Sequence, residues 1–159
     1  GTNRLAAWLG LPIQRLRFDL CEMLVLELDL PMSSITVLDG PFTSLVGTGD
    51  KNIFILSHIH ESILRSAVPA DGMPPEWSPW SSNARNLLRQ CSRYFPIVAS
   101  GKLLESRYAT RTVQAFAEDY DGRPTVATDH GFGCWSLLGG KIVTSAAGAK
   151  SLARTIFPD

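Results

Sequence analysis

The sequence lacks the features that would tie it to a nucleic acid or a membrane. Its 15 basic and 15 acidic side chains balance, so no net field attracts an anionic partner. No apolar run approaches the roughly 18–20 residues that a membrane-spanning helix needs. The first ten residues also lack the basic cluster and long apolar block of a signal peptide. We therefore expect neither a nucleic-acid partner nor a membrane span.

Cysteine is scarce. The three cysteines, Cys21, Cys91 and Cys134, are far apart and odd in number. This usage is typical of a reduced intracellular protein rather than of a secreted disulfide framework. It predicts a cytoplasmic location.

The sequence also lacks a convincing set of metal ligands. His58 and His60 alternate at the end of a predicted strand, with Glu61 beside them. Two histidines at this spacing without a third ligand in register are weak evidence for a metal. We predict no metal site.

A complete dinucleotide-binding motif is missing as well. A Rossmann unit places G-x-G-x-x-G between a strand and a helix, where the backbone holds a pyrophosphate group. The nearest match begins at Gly131 and Gly133, but it lacks the third glycine and precedes a strand. The chain therefore contains no complete Rossmann unit.

What is present indicates one compact α+β domain. The 159 residues are 45% hydrophobic and 19% charged, ordinary values for a globular protein, and the length predicts a single domain over residues 1–159. Strands are predicted at residues 16–28, 35–38, 52–59, 102–116 and 125–128, and helices at residues 3–9, 84–95 and 145–157. Because helices do not alternate regularly with strands, we predict a mixed, largely antiparallel sheet covered by helices on one face.

Residues 68–82 form a long loop in this prediction. The loop holds four prolines together with Trp77 and Trp80, a composition that rules out a helix or a central strand. Two interpretations remain open. The loop is either a functional lid or a connection that its aromatic side chains pin to the body of the protein.

The most specific pattern lies near the end of the sequence, in the letters LLGGKIVTS. An apolar strand runs into Gly139 and Gly140, Lys141 follows, and a helix of small residues begins at Thr144 or Ser145. Glycine lets the backbone approach a ligand closely, and a helix N-terminus favours anions. The pattern predicts a corner that faces an anionic group.

This segment resembles the C-terminal flavin-contacting segment of FAD-dependent oxidoreductases of the D-amino-acid oxidase and glycerol-3-phosphate dehydrogenase type. In that superfamily a run such as LLGGK-x-x-T-S closes over the isoalloxazine ring. Two further blocks match in order, although less specifically. LDGPFTSL with NIFILSHIHESIL is similar to the substrate-domain strands, and residues 108–112 with Arg123 are similar to the arginine-bearing strand and the basic turn after it.

The resemblance implies a function for a part of an enzyme. The chain would be the substrate-binding and flavin-capping portion of a flavoprotein that dehydrogenates a small anionic amine or alcohol by hydride transfer. The N-terminal FAD-binding half would be supplied in cis or as a separate chain, so the isolated chain should be inactive and hold no FAD. The cofactor contacts implied are Gly139, Gly140, Lys141 and Thr144. The substrate contacts implied are Arg111, Arg123 and Tyr108.

Arg111 and Arg123 suit a substrate carboxylate or phosphate because a planar guanidinium can hold two oxygens at once. Ordinary explanations stay open for the same residues. An arginine on a strand is often a surface residue in an ion pair, and Glu105 and Asp119 are available partners. The two glycines could form a plain tight turn with Lys141 solvated. No catalytic residue is identified.

An alternative reading treats the chain as a free-standing module that binds a ligand or a protein through the loop of Trp77 and Trp80, without redox chemistry. The two hypotheses differ in what they expect of the surface. An exposed apolar face favours the hypothesis that the chain is part of an oxidoreductase, because the FAD-binding half would cover that face. A closed polar surface favours the module.

Overall fold

The computed structural model describes residues 2–31, 34–38, 40, 42–115, 125–139 and 141–157. The chain divides into two compact units. We call residues 1–18, 68–75 and 112–159 the terminal unit, and residues 19–67 and 76–111 the sheet unit. The single substrate-binding and flavin-capping domain over residues 1–159 stays a prediction.

The fold is α+β, as predicted. The helices are α1 (Thr2–Trp8), α2 (Ala84–Cys91) and α3 (Ser145–Ile156), with short 3-10 helices at Pro96–Ser100 and Ile142–Thr144. The strands are β1 (Leu16–Glu27), β2 (Ser34–Val37), β3 (Thr43–Gly47), β4 (Ile53–His58), β5 (Ile63–Ala67), β6 (Lys102–Gln114), β7 (Val126–Asp129) and β8 (Trp135–Leu138).

Six strands form one largely antiparallel sheet, which confirms the predicted fold class. Its order is β2-β3-β4-β1-β5, and β6 also pairs with β1. Strand β3 pairs antiparallel with β2 and with β4. Strands β1 and β4 also pair antiparallel, and Leu24 lies opposite Leu56 in their register. Strands β7 and β8 form a separate antiparallel pair.

The sheet unit has a continuous apolar core. Strand β1 is central and buries side chains on both faces, which explains its almost unbroken apolar sequence. Helix α2 buries Leu87 and Cys91, which lie four residues apart and therefore on one helical face. The core contains Leu24, Leu26, Leu28, Leu45, Phe54, Leu56, Leu87, Cys91, Phe95 and Val98.

The terminal unit is held at one end by a buried amide. The Asn3 side chain donates to the carbonyl oxygens of Gln14 and Gly72, both at 2.7 Å, and accepts from the Gln14 N–H at 2.9 Å. Gly72 has a φ of +64°, and a Cβ there would lie 2.8 Å from Asn3 Nδ2. Only glycine fits this close approach without strain.

Candidate functional site

The segment that carries the resemblance lies in the terminal unit, after β8. A Cβ placed on Gly139 would meet nothing within 4 Å, so this backbone faces open space. Lys141 is exposed, and no ion pair of its ammonium group occurs within the part of the chain that the structure describes. Gly140 lies outside the described residues. Gly139 and Lys141 therefore present an exposed stretch of backbone and an ammonium group that no described acidic side chain neutralises.

Thr144 is the last residue of the 3-10 helix that precedes α3, and its hydroxyl forms hydrogen bonds within the terminal unit. The Thr144 Oγ1 donates to the Lys141 carbonyl oxygen at 2.7 Å and lies 2.6 Å from Thr125 Oγ1. Its side chain does not cap α3. Thr144 thus fixes the backbone of Lys141, and its contact with a cofactor stays a prediction.

A strained turn lies between β7 and β8. Gly131, Phe132 and Gly133 all have positive φ values, +78°, +55° and +74°. This region is unfavourable for a bulky side chain, yet Phe132 occupies it and is fully exposed. His130 Nε2 lies 2.9 Å from Ser136 Oγ. Phe132 therefore adopts a backbone conformation that is unfavourable for its residue type while its side chain is exposed.

Arg111, a predicted substrate contact, lies in the sheet unit in an ion pair with a fully buried carboxylate. Its Nε and Nη2 donate to Asp19 Oδ2 at 3.0 and 2.7 Å, and Ser66 Oγ donates to Asp19 Oδ1 at 2.7 Å. A buried carboxylate is costly without such partners. Arg111 therefore has a structural task, and its role in substrate binding stays a prediction. Arg123 lies outside the described residues.

Tyr108 contacts a second buried carboxylate. Glu22, also on β1, accepts hydrogen bonds from Ser82 Oγ at 2.5 Å, from the Asn83 N–H at 2.6 Å and from Tyr108 Oη at 3.3 Å. The Ala84 N–H donates to Ser82 Oγ at 3.1 Å, which leaves the serine proton for Glu22. All three donors to Glu22 are neutral, and no ion pair of Glu22 occurs among the described residues.

Tyr108 and Arg111 do not share a face of the sheet. They are three residues apart on β6, and side chains alternate along a strand, so the two point to opposite faces. Their partners agree, since Glu22 and Asp19 are also three residues apart on β1. The structure therefore does not bring these two predicted substrate contacts together.

The aromatic side chains of the long loop lie against β6. Trp77 Nε1 donates to Thr110 Oγ1 at 3.0 Å. The Trp80 and Tyr108 ring centroids are 5.7 Å apart, and their planes are tilted by 59°. These contacts agree with the interpretation in which aromatic side chains attach the loop to the rest of the protein. They also bring the Trp80 and Tyr108 rings together on an exposed part of the sheet unit.

The turn between β4 and β5 holds His58 in a neutral form. The backbone N–H groups of His60 and Glu61 both donate to His58 Nδ1 at 3.2 Å, which assigns the ring proton to Nε2. Burial lowers the pKa of His58. The Glu61 carboxylate raises this pKa, and His60 lowers it further. The histidine therefore serves as a hydrogen-bond acceptor that shapes the turn.

Cys91 is chemically quiet. Burial raises the pKa of its thiol to about 12, the Glu61 carboxylate acts in the same direction, and a hydrogen bond with Thr43 opposes both. All three cysteines are free thiols.

Within the described ranges, no group of three histidine, cysteine or acidic side chains could hold a metal ion. Among the described helices, none is both long and apolar enough to cross a membrane.

Sequence reasoning missed Asp19 and Glu22. A signal for them was present, because two acidic residues interrupt a strand that is otherwise apolar and buried on both sides.

No family model, no curated protein and no solved structure matches this chain. The proposals below therefore depend on the residues and on their geometry.

Proposed function

We propose that the chain is the substrate-binding and flavin-contacting part of an FAD-dependent oxidoreductase that dehydrogenates a small anionic amine or alcohol. The observation that carries the proposal is the exposure of apolar side chains in the terminal unit. Ile142 and Val143, directly after Lys141, are 87% and 80% exposed, and Trp8 is 81% exposed. Phe132 and Phe157 are exposed as well. A surface that another polypeptide covers would account for apolar side chains as exposed as Ile142, Val143 and Trp8.

The burial of the same unit supports this interpretation. Helix α3 has twelve residues and no buried side chain, and neither β7 nor β8 has one. Helices of this length are marginal in water and depend on packing of an apolar face. A partner that covers α3 and the exposed residues before it would supply that packing. The alternative, a free-standing module with a closed polar surface, fits these residues less well.

The residues present fit one edge of a flavin. When bound, FAD accepts a hydride and gains negative charge near one edge of its ring, which fixed donors and cations stabilise. Lys141 would supply an ammonium group that no acidic side chain among the described residues neutralises, and Gly139 would allow a close approach of the backbone. The phosphates of FAD find no glycine-rich loop here, so the partner would hold them. The cytoplasmic location and the anionic substrate belong to the same proposal.

The test compares the chain alone with the chain produced together with the coding sequence that flanks it. We expect the chain alone to purify without flavin, and a flanking or neighbouring reading frame to contain a strand followed by G-x-G-x-x-G. Co-production should then give a yellow complex with stoichiometric FAD. Lys141→Met in that complex should weaken the sulfite adduct of the flavin, because a cation near the ring stabilises that anionic form.

Three outcomes would contradict the proposal. The first is stoichiometric flavin on the chain alone. The second is the absence of any dinucleotide-binding sequence from the flanking and neighbouring reading frames. The third is a complex in which α3 exchanges its amide hydrogens as fast as it does in the chain alone, because a covering partner must protect this helix.

A further inference from the structure

Trp80 and Tyr108 form a two-walled aromatic corner on the sheet unit. The ring planes are tilted by 59°, with centroids 5.7 Å apart. Trp80 is 43% exposed and Tyr108 is 40% exposed, so both rings are open to a ligand. The Trp77 indole of the loop is hydrogen-bonded to Thr110, which lies two residues after Tyr108 on β6. The corner is therefore a preformed aromatic surface.

A buried carboxylate lies directly behind one wall. Tyr108 Oη donates to Glu22 Oε1 at 3.3 Å, and Glu22 is fully buried. Its other hydrogen bonds come from Ser82 and Asn83, which are neutral groups. Among the described residues no cation pairs with this carboxylate, and in a medium of low dielectric constant such a charge acts over a longer distance than it does in water. The corner is thus an aromatic surface in a negative local field.

We propose that this corner binds a small molecule through a quaternary or methylated ammonium group. The faces of Trp and Tyr rings attract cations within about 6 Å of the ring centroid, and the Glu22 carboxylate adds to the attraction. Glu22 is buried and bonded to its three donors, so it offers no accessible acceptor to a ligand N–H. A methylated ammonium group needs no such acceptor and suits the corner better than a primary amine.

The inference does not rest on the flavin proposal. It concerns the sheet unit of the chain alone, without cofactor or partner, and it needs no redox chemistry. Tyr108 is the residue that the two proposals assign differently, because a corner that attracts cations does not suit the anionic substrate expected there. Lys141 and Gly139 belong to the flavin proposal alone, so either proposal can fail while the other stands.

The experiment titrates the isotope-labelled chain with choline and with 3,3-dimethyl-1-butanol, the uncharged carbon analogue of the same shape. Ionic strength is kept constant with sodium chloride. The readouts are the NMR shift of the Trp80 indole N–H and the quenching of tryptophan fluorescence. We expect saturable shifts with choline and at least about fivefold weaker binding of the neutral analogue.

Four variants sharpen the result. Trp80→Leu removes one wall and should abolish the saturable quenching by choline, whereas Trp77→Phe is the matched control and should leave the choline affinity unchanged. Glu22→Gln should weaken choline binding severalfold and leave the neutral analogue unaffected, a difference that a purely structural role would not produce. Tyr108→Phe keeps the aromatic ring and removes its hydrogen bond to Glu22, so this variant should retain most of the choline affinity. It also tests the corner if Glu22→Gln does not fold.

The proposal is overturned by equal binding of choline and its neutral analogue. The absence of a saturable response to either probe also overturns it. A loss of choline affinity in Trp77→Phe as large as in Trp80→Leu would show that the two-walled corner is not the site.

Discussion

The sheet unit and the last two strands and helix of the terminal unit are stabilised in different ways. In the sheet unit, ten apolar side chains are buried together, and the buried acidic side chains Asp19 and Glu22 are bonded to specific partners. In β7, β8 and α3 no side chain is buried, and large apolar residues that flank α3, such as Ile142 and Phe157, are exposed.

The difference separates a part of the chain with its own buried core from a part in which no side chain is buried. Buried apolar area is the largest stabilising contribution to a fold. The sheet unit has buried its share of that area, and the strands and helix near the end of the chain have not. Their exposed surface is what the proposed function would use. The following predictions test this comparison, from the largest expected effect to the smallest.

A cavity in the sheet unit should be costly. Leu56 is fully buried opposite Leu24, so Leu56→Ala should lower the free energy of unfolding by about 3 kcal/mol. Val143→Ala in the terminal unit is the control and should change it by less than about 0.5 kcal/mol. Urea denaturation measures both values. Equal losses would remove the contrast between the two regions.

Breaking the buried ion pair should be the next largest effect. Arg111→Met removes a hydrogen-bonded cation from the buried Asp19 carboxylate and should cost about 2 kcal/mol, somewhat less than for a fully enclosed pair because the Arg111 side chain is 31% exposed. Arg107→Met on the same strand is the control. Arg107 pairs with Glu105 on an exposed surface, and its loss should cost less than about 0.5 kcal/mol. A small effect of Arg111→Met would mean that Asp19 is solvated.

Acid should weaken the sheet unit through His58. Burial lowers the pKa of His58 below that of the unfolded chain, which is near 6.5. As the pH falls below about 6.5, the unfolded chain takes up the proton first, so the free energy of unfolding falls. His58→Asn should flatten this part of the pH profile, and His60→Gln should leave it in place. Denaturation between pH 5 and pH 8 checks the slope, and an unchanged slope in His58→Asn would contradict the assignment.

The buried thiol of the sheet unit should also differ in reactivity from the partly exposed thiol of the terminal unit, measured with Cys21, which is partly exposed as well, replaced by serine. Cys91 is buried in the core with its pKa raised to about 12, whereas Cys134 in the terminal unit is partly exposed. At pH 8 Cys91 should react with a thiol reagent at least about a hundredfold more slowly than Cys134. Cys134→Ser assigns the faster phase. Comparable rates in the native protein would indicate that the core opens readily.

Much of the fold could be predicted because it follows local patterns. The predicted strands at residues 16–28, 52–59 and 102–116 correspond to β1, β4 and β6, and the predicted helix at residues 145–157 corresponds to α3. Strands β3 and β5 were missed. Each has five residues and little alternation, and β3 is extended because its hydrogen bonds go to β2 and β4.

The candidate sites show the same limit. The glycine and lysine pattern near the end of the chain could be read directly, because spacing alone predicts a strand, a turn and a helix. The aromatic corner could not be predicted from Trp80 by itself. It depends on Tyr108 and on Glu22, which lie 28 and 58 residues away in the sequence, and only strand pairing brings such distant positions together.

The sequence by itself determined the fold class, most of the strands and helices, and the absence of a complete Rossmann unit, because these depend on periodicity and on spacing between neighbours. The tertiary structure decided which charges are compensated and which surfaces stay open. It set Arg111 against Asp19, left Glu22 with neutral partners, and exposed Ile142 and Val143. Burial and charge pairing are properties of contacts between distant residues, and no local pattern contains them.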